Sequence, residues 1–226
     1  MKLELKKFKL GWYVKGAIIA NILIAALLVC IGYVEQLEGN VGISSYDEAF
    51  LIAGTLVRAT FIIFAAVLIT KFIIEEFKNK TTNVLFTYPI PRKKFIIVKL
   101  WIIGLLTFIT IFISNVFVLV SIIVLESYFK FIPGTFSTAA VGQQLLSMVT
   151  FAFAAAGTSL IPLYFGMRKY SIPATIISSI FIVSLISSHN PVFSTASIVY
   201  IPLSLAMIGI FIAFWSIRNI EKVDMI

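Results

Sequence analysis

The sequence has little charge and few of the side chains that bind metals or form disulfides. Only 12% of its 226 residues are charged, whereas 60% are hydrophobic, and the mean hydropathy is +1.06. A water-soluble domain needs about a quarter of its residues charged to cover its surface. There is one cysteine, Cys30, and one histidine, His189. The composition therefore predicts a surface that faces lipid, excludes an intrachain disulfide and predicts no metal site.

Motifs for independent chemistry are also missing. The chain has no G-x-x-x-x-G-K-[ST] phosphate loop, no H-E-x-x-H and no G-x-S-x-G. All ten acidic residues fall in predicted loops or at the ends of predicted spans, whereas ion-coupled transporters usually carry an acidic group within the membrane. We therefore predict no catalytic residues, no cofactor in this chain and no ion coupling by this chain alone.

Long apolar runs dominate what is present. A bilayer core about 30 Å thick needs about 20 apolar residues in a helix, and the runs are continuous rather than alternating, which favours helices over strands. The predicted fold class is an all-α polytopic membrane protein with a single transmembrane domain over residues 1–226. Six transmembrane helices are predicted, at residues 13–34, 50–71, 101–125, 139–167, 172–187 and 197–217.

The distribution of lysine and arginine predicts the orientation. If both termini are cytoplasmic, every lysine and arginine except Arg58 and Lys130 lies at the cytoplasmic side. The formal net charge of +8 is then explained by membrane orientation and anionic headgroups, and no nucleic-acid partner is required. The predicted localisation is a cell membrane, which the chain crosses several times.

The segments outside the spans are short. Residues 1–12 alternate apolar and basic side chains, which predicts an interfacial helix; a basic flank that merely orients the first span explains them equally well. The predicted outer loops, at 35–49, 126–138 and 188–196, are too short to hold a folded domain. A receptor-like or catalytic module outside the cell is therefore not expected.

One elaborate polar segment, residues 75–91, joins the second and third predicted spans. An apolar stripe recurs there at helical spacing, and Glu76 and Lys80 are spaced for an i, i+4 pair. Two prolines then end the helix. The stripe consists of Phe77, Thr81, Val84, Leu85 and Tyr88, and it is followed by Pro89, Pro91 and the basic residues that start at Arg92. The pattern predicts a short amphipathic helix followed by a rigid bend.

Two sets of intramembrane polar residues are candidates for a substrate path. Arg58 lies about nine residues into the second predicted span, so it should face a partner or a water-filled cavity; a structural anchor and a substrate contact explain it equally well. Thr175, Ser178 and Ser179 form a small polar face on the fifth predicted span. Helix packing explains that face as well as a substrate path does.

The polar segment resembles the corresponding part of permease subunits of ATP-binding-cassette type-2 exporters. Members of that family commonly have an acidic start after the second span, a short helix ending in leucine and proline, and basic residues entering the third span. The matching residues are Glu75, Glu76, Leu85, Pro89, Arg92 and Lys99. The charged ending Glu221–Asp224, the six spans and the two cytoplasmic termini are also similar, whereas the predicted outer segment 188–196 is shorter than in larger members.

The resemblance implies a division of labour. In that family the segment between spans two and three docks on a separate cytoplasmic ATPase, which binds ATP and Mg²⁺, and two permease subunits share the movement. The coupling residues would be Glu75, Glu76, Phe77, Lys80, Thr81, Val84, Leu85, Tyr88, Pro89, Pro91 and Arg92. The expected partners are that ATPase, a second permease copy or paralogue, membrane lipid and a hydrophobic or amphipathic substrate. Small members of this kind often look like exporters of antimicrobial, toxin or amphipathic peptides, or immunity proteins against them, from Gram-positive bacteria. The resemblance therefore also implies a bacterial plasma membrane.

Other functions are compatible with the same residues. Segment 75–91 could lie flat on the membrane without a protein partner, because basic amphipathic helices bind anionic lipid. The chain could then be an autonomous channel or secondary carrier, or a non-transporting immunity or scaffold protein. These alternatives differ in whether an ATPase is needed.

Overall fold

The computed structural model describes residues 11–38, 46–78, 92–129, 138–187 and 195–218, and nearly all of them are helical. The helices are α1 (Gly11–Glu38), α2 (Tyr46–Ile69), α3 (Glu75–Lys78), α4 (Arg92–Phe129), α5 (Thr138–Thr158), α6 (Pro162–Lys169), α7 (Ile172–Ser187) and α8 (Thr195–Arg218). A π-helical turn, Thr70–Ile74, joins α2 to α3 without a break.

Four stretches among the described residues are long and apolar enough to cross a bilayer: Gly11–Val34, Glu48–Lys78, Lys93–Leu125 and Leu145–Arg168. Large apolar side chains on them are exposed, including Leu23 at 62% and Trp101 at 69%. Exposing so much apolar surface to water would favour aggregation, so these faces contact lipid. The chain is an all-α, multi-pass membrane protein, and α7 and α8 contain the shorter apolar stretches Ile172–Ile186 and Leu203–Ser216.

The predicted fourth span, residues 139–167, is wrong as one continuous helix. α5 ends at Thr158 and α6 begins at Pro162. Proline lacks an N–H, and its ring clashes with the carbonyl four residues earlier, so the chain cannot continue the α-helix through this point. Tight turns replace it: the N–H of Leu160 bonds the Gly157 carbonyl at 3.2 Å, and that of Ile161 bonds the Thr158 carbonyl at 3.1 Å. Pro162 then takes the first position of α6, which suits proline.

Two helices extend beyond the spans predicted for them. The second predicted span stops at residue 71, whereas helix continues to Lys78 through the π turn; the third starts at residue 101, whereas α4 starts at Arg92. The charged residues at those ends lie within helix, because long side chains can extend to water while the backbone stays helical. Glu75–Lys78 is therefore a continuation of the α2 helix and not the start of a separate one.

The chain divides into two compact units, and the first comprises residues 1–60 and 110–149. In it, α1 and α4 run parallel, since contacts advance in the same direction along both. The Tyr13 hydroxyl donates to Thr110 Oγ1 at 3.3 Å, and Asn21 Nδ2 donates to Ser114 Oγ at 2.9 Å. Neutral hydrogen bonds of this kind join helices where apolar side chains gain nothing by leaving lipid.

The second unit comprises residues 61–109 and 150–226. Its core is apolar and fully buried at Phe61, Ile62, Ile103 and Leu163. Helices α5 and α8 approach closely here: a Cβ built on Gly157 would lie 2.6 Å from the Ala206 Cβ. Only a residue without a side chain fits such a contact, and this is the common way for helices to pack in membranes.

Candidate functional site

A buried ion pair lies where the π turn ends. Lys99 on α4 is 2% exposed, and its ammonium bonds the Glu76 carboxylate on α3. The same Nζ donates to the Phe72 carbonyl at 2.8 Å and lies 4.4 Å from the centre of the Phe95 ring. An ammonium has three donors and is strongly attracted to aromatic faces. We call Phe72, Glu76, Phe95 and Lys99 the lysine clamp.

The π turn explains how a backbone carbonyl comes to serve this ammonium. The Glu75 N–H bonds the Thr70 carbonyl, five residues back instead of four. Such a turn disturbs the regular α-helical ladder, and π turns are often found at functional positions. The Phe72 carbonyl inside the turn accepts a hydrogen bond from the Lys99 ammonium. The irregular turn and the buried lysine therefore stabilise each other.

The lysine clamp fixes position more than it adds stability. Removing two charges from water is costly, and their attraction offsets that cost only when the geometry and the other hydrogen bonds are good. Deleting one member would leave the other charge buried and uncompensated. The clamp therefore holds the end of α3 against the first turns of α4, at the two ends of the connecting segment 79–91.

An aromatic stack joins α3 to the turn between α6 and α7. The rings of Phe77 and Tyr170 have centroids 5.7 Å apart and planes 15° from parallel, an arrangement typical of offset stacking. Tyr170 has a φ of 47°, in the left-handed region, which is uncommon for a bulky residue. Its N–H bonds the Gly166 carbonyl and caps α6, and the Ser171 hydroxyl accepts the Ala174 N–H at 3.4 Å at the start of α7.

A close contact next to the stack ties α6, α7 and the π turn together. A Cβ on Gly166 would overlap the Thr175 hydroxyl and would lie 2.9 Å from Ile74 Cδ1. Thr175 and Ile74 are both fully buried. Phe77, Tyr170, Gly166, Thr175 and Ile74 therefore form one compact cluster at the end of α3.

The predicted coupling residues are therefore only partly described. Glu75, Glu76 and Phe77 lie on α3, and Arg92 begins α4. Glu76, which sequence spacing pairs with Lys80, instead bonds Lys99. The remaining predicted coupling residues fall outside the described residues: Lys80, Thr81, Val84, Leu85, Tyr88, Pro89 and Pro91.

The polar residues predicted on the fifth span satisfy their own helix. Thr175, Ser178 and Ser179 donate to the carbonyls of Ser171, Thr175 and Ile176 at 3.1, 2.9 and 2.7 Å. Thr175 and Ser179 are fully buried. These bonds fit the packing interpretation, in which a hydroxyl in an apolar setting turns back to the helix backbone.

Arg58 belongs to the first unit, while Thr175, Ser178 and Ser179 belong to the second. The Arg58 Nε donates to the Gly54 carbonyl at 2.9 Å, and its Nη2 donates to Thr55 Oγ1 at 3.0 Å. The guanidinium thus bonds the preceding turn of α2. Gly54, whose carbonyl accepts one of these bonds, lies near α4: a Cβ built on it would be 3.9 Å from the Asn115 amide oxygen. Both bonds fit the structural-anchor interpretation of Arg58.

Sequence reasoning missed the lysine clamp. The charge distribution places Lys99 among the cytoplasmic lysines, although apolar residues surround it on both sides in the sequence. That setting is a usable signal, because a lysine within an apolar helix needs an acidic or carbonyl partner. The π turn and the Phe77–Tyr170 stack have no comparable sequence signal.

The chain is similar over nearly its whole length to a protein of Bacillus subtilis (strain 168), the uncharacterized protein YcbO. The two are 54% identical over 224 residues, which cover 99% of this chain and 98% of YcbO. The chain belongs to the same family as YcbO. No protein-family model matches the chain, and no solved structure matches it. The YcbO family relationship assigns neither a substrate nor a partner.

Proposed function

We propose that the chain is the permease subunit of an ATP-driven exporter of the ATP-binding-cassette type-2 kind. With a second permease copy or paralogue it forms the membrane path for a hydrophobic or amphipathic substrate, such as an antimicrobial or toxin peptide. ATP and Mg²⁺ are bound by a separate cytoplasmic ATPase. The chain does not hydrolyse ATP alone.

The lysine clamp is the observation that carries this proposal. Segment 79–91 leaves α3 three residues after Glu76 and enters α4 seven residues before Lys99, and the Glu76–Lys99 pair holds those two ends together. A displacement of the segment would then move the π turn, α3 and the start of α4 together as a rigid unit. The Phe77–Tyr170 stack passes the same movement to the α6–α7 turn.

The proposed topology has six spans and two cytoplasmic termini, in the bacterial plasma membrane. The four long apolar stretches support spans one to four, and the shorter apolar stretches of α7 and α8 are our candidates for spans five and six. Short spans are accommodated by local thinning of the bilayer or by flanking residues that extend to the interface. This places α3, the start of α4 and the α6–α7 turn on the cytoplasmic side, where an ATPase can reach segment 79–91.

Co-purification tests the proposal. The ATPase encoded beside the gene should purify with the tagged chain, and Leu85→Asp with Tyr88→Asp should abolish that association, because both residues lie on the predicted apolar stripe. Phe77 is left unchanged, since it already stacks on Tyr170 within the chain. Asn83→Asp with Phe86→Asp is the matched control, on the opposite side of the predicted helix, and should retain the ATPase.

Two outcomes would favour the other candidate functions. Transport into liposomes driven by an ion gradient, with no ATPase present, would indicate an autonomous carrier. Toxin protection that persists with a catalytically inactive ATPase would indicate an immunity protein. Either result, or intact assembly after Leu85→Asp with Tyr88→Asp, would overturn the proposal.

A further inference from the structure

The second unit contains an apolar groove that is separate from the four residues of the lysine clamp. It has a volume of about 440 Å³ and lies between α4, α5 and α8, within the range of about 300–1,000 Å³ typical of small-molecule sites. Its lining residues belong to the described part of the chain, and all of them are apolar or aromatic. A ligand with its own charge or hydrogen-bonding groups inside the groove would find no partner there.

The floor and walls of the groove differ in size. Small buried residues, Ala156, Gly157 and Ala213, form the floor, while Trp101 and Phe214 form exposed walls. Because Trp101 and Phe214 are exposed, the groove is open at the surface of the unit. Such a shape accepts a long, thin apolar chain.

The length of the groove matches one leaflet of the bilayer. Its α4 wall extends from Ile97 to Phe108, which corresponds to about 16 Å at 1.5 Å per residue. Half of a hydrocarbon core of about 30 Å is about 15 Å. A single acyl chain of one leaflet is therefore about as long as this wall.

A basic residue lies at one end of the same helix face. Lys94 is exposed and precedes Ile97, Trp101 and Phe108 by three, seven and fourteen residues, which is the spacing of one helix face. Helical side chains lean towards the N-terminus of their helix, so the Lys94 ammonium extends away from the groove towards the headgroups. Its charge complements an anionic headgroup whose acyl chain occupies the groove.

We propose that this groove binds an acyl chain of an anionic phospholipid, with Lys94 contacting the headgroup. The small residues of the floor and the aromatic residues of the walls favour an acyl chain, and Lys94 favours an anionic headgroup. The site requires no ATPase, so its test is independent of the transport proposal.

Trp101 provides the probe, because it lines the groove. A variant with Trp12→Phe and Trp215→Phe keeps Trp101 as its single tryptophan and is reconstituted into vesicles of phosphatidylglycerol and phosphatidylcholine. One of the two lipids carries brominated chains, which quench tryptophan fluorescence on contact. We expect half-maximal quenching at a mole fraction at least threefold lower for brominated phosphatidylglycerol than for brominated phosphatidylcholine.

The companion variant keeps Trp215 and carries Trp12→Phe and Trp101→Phe. Trp215 is exposed at 58% on α8 but does not line the groove, so it reports general contact with lipid. We expect the two brominated lipids to quench it equally. A threefold preference at Trp215 as well would mean a general enrichment of anionic lipid and would overturn the site.

Two substitutions separate chain binding from headgroup binding. Gly104→Leu fills the groove, and a Cβ at Gly104 has no neighbour within 4 Å, so the variant can fold; the lipid preference at Trp101 should disappear. Lys94→Gln should reduce the preference to less than twofold. Gly142→Leu, at an equally open glycine on α5, is the matched control and should keep the full preference.

Three results would overturn the proposal. The first is equal quenching of Trp101 by the two lipids, and the second is a preference that survives both Gly104→Leu and Lys94→Gln. The third is a change of oligomeric state on Gly104→Leu, measured by light scattering in detergent. It would assign the groove to an interface with a second copy of the chain.

Discussion

The two compact units hold their helices together by different means. In the unit of residues 1–60 and 110–149, α1 and α4 are joined by neutral hydrogen bonds, Tyr13 to Thr110 and Asn21 to Ser114. In the unit of residues 61–109 and 150–226, a buried ion pair joins α3 to α4, and glycine contacts bring α5 against α8. Neutral bonds between membrane helices contribute about 0.6 kcal/mol on average, whereas losing one partner of a buried ion pair costs about 3–5 kcal/mol.

This difference indicates where each unit tolerates change. The two neutral bonds between α1 and α4 are of the weaker kind, so removing one of them should cost little. In the second unit, a substitution at the ion pair or at the glycine contacts should be strongly destabilising. Such contacts would keep that unit rigid. Substitutions at the ion pair and the glycine contacts should therefore cost more than substitutions at the neutral bonds.

The largest effect is expected at the lysine clamp. Lys99→Met removes the buried ammonium that bonds the partly buried Glu76 carboxylate, and it should lower the free energy of unfolding in mild detergent by about 3–5 kcal/mol. The double variant Glu76→Gln with Lys99→Met removes both charges and should be less destabilised than the single one. Thermal unfolding followed by circular dichroism measures both, and equal losses would contradict a coupled pair.

A smaller effect is expected where α5 meets α8. Gly157→Ala places a methyl group 2.6 Å from the Ala206 Cβ, and overpacking of this kind typically costs about 1–3 kcal/mol. Gly104→Ala is the matched control, because nothing lies within 4 Å of the new methyl group. It should be neutral or stabilising by up to about 1 kcal/mol, since alanine is the better helix former. Equal unfolding midpoints for the two variants would contradict the close contact.

The stack of Phe77 on Tyr170 should contribute a modest coupling energy. A double-mutant cycle with Phe77→Leu and Tyr170→Leu removes the stack while keeping an apolar side chain at each position. We expect a coupling of about 0.5–1.5 kcal/mol, as for other aromatic pairs. A cycle that closes to zero would mean that α3 and the α6–α7 turn are not linked through these rings.

The smallest effect is expected at Asn21 in the first unit. Its amide donates to Ser114, while its Oδ1 is buried and has no hydrogen-bond partner among the described residues. Asn21→Leu loses one neutral bond and also removes that unsatisfied oxygen, so the free energy of unfolding should change by less than about 1 kcal/mol. A loss as large as that of Lys99→Met would remove the contrast between the two units.

Composition alone predicted the class of the fold correctly, because a chain with so few charges can only cover its surface with lipid. The helix ends were harder to predict. Pro162 breaks the predicted fourth span, and its effect is local and could have been anticipated. The extension of α2 to Lys78 depends on the pairing of Glu76 with Lys99, which are 23 residues apart in sequence, and no local pattern carries that information.

Only the charged residues of the candidate site could be predicted from the sequence, and their partners could not. The acidic residues Glu75 and Glu76 lie between two long apolar runs in the sequence, a pattern that predicts a position at the membrane surface. The partner of Glu76 and the aromatic partner of Phe77 arise from tertiary packing. The same holds for the hydroxyls of Thr175, Ser178 and Ser179. The sequence predicted a polar face, whereas the structure shows that each hydroxyl donates to a backbone carbonyl of its own helix.

Photocross-linking at position 85 tests the central proposal most directly. A benzoylphenylalanine placed at Leu85, in cells that also express the adjacent ATPase, reports what the connecting segment touches. We predict a light-dependent adduct whose peptides carry the G-x-x-x-x-G-K-[ST] phosphate loop of an ATPase, and the adduct should be absent when the probe is placed at Phe86. Adducts with phospholipid alone would contradict the account.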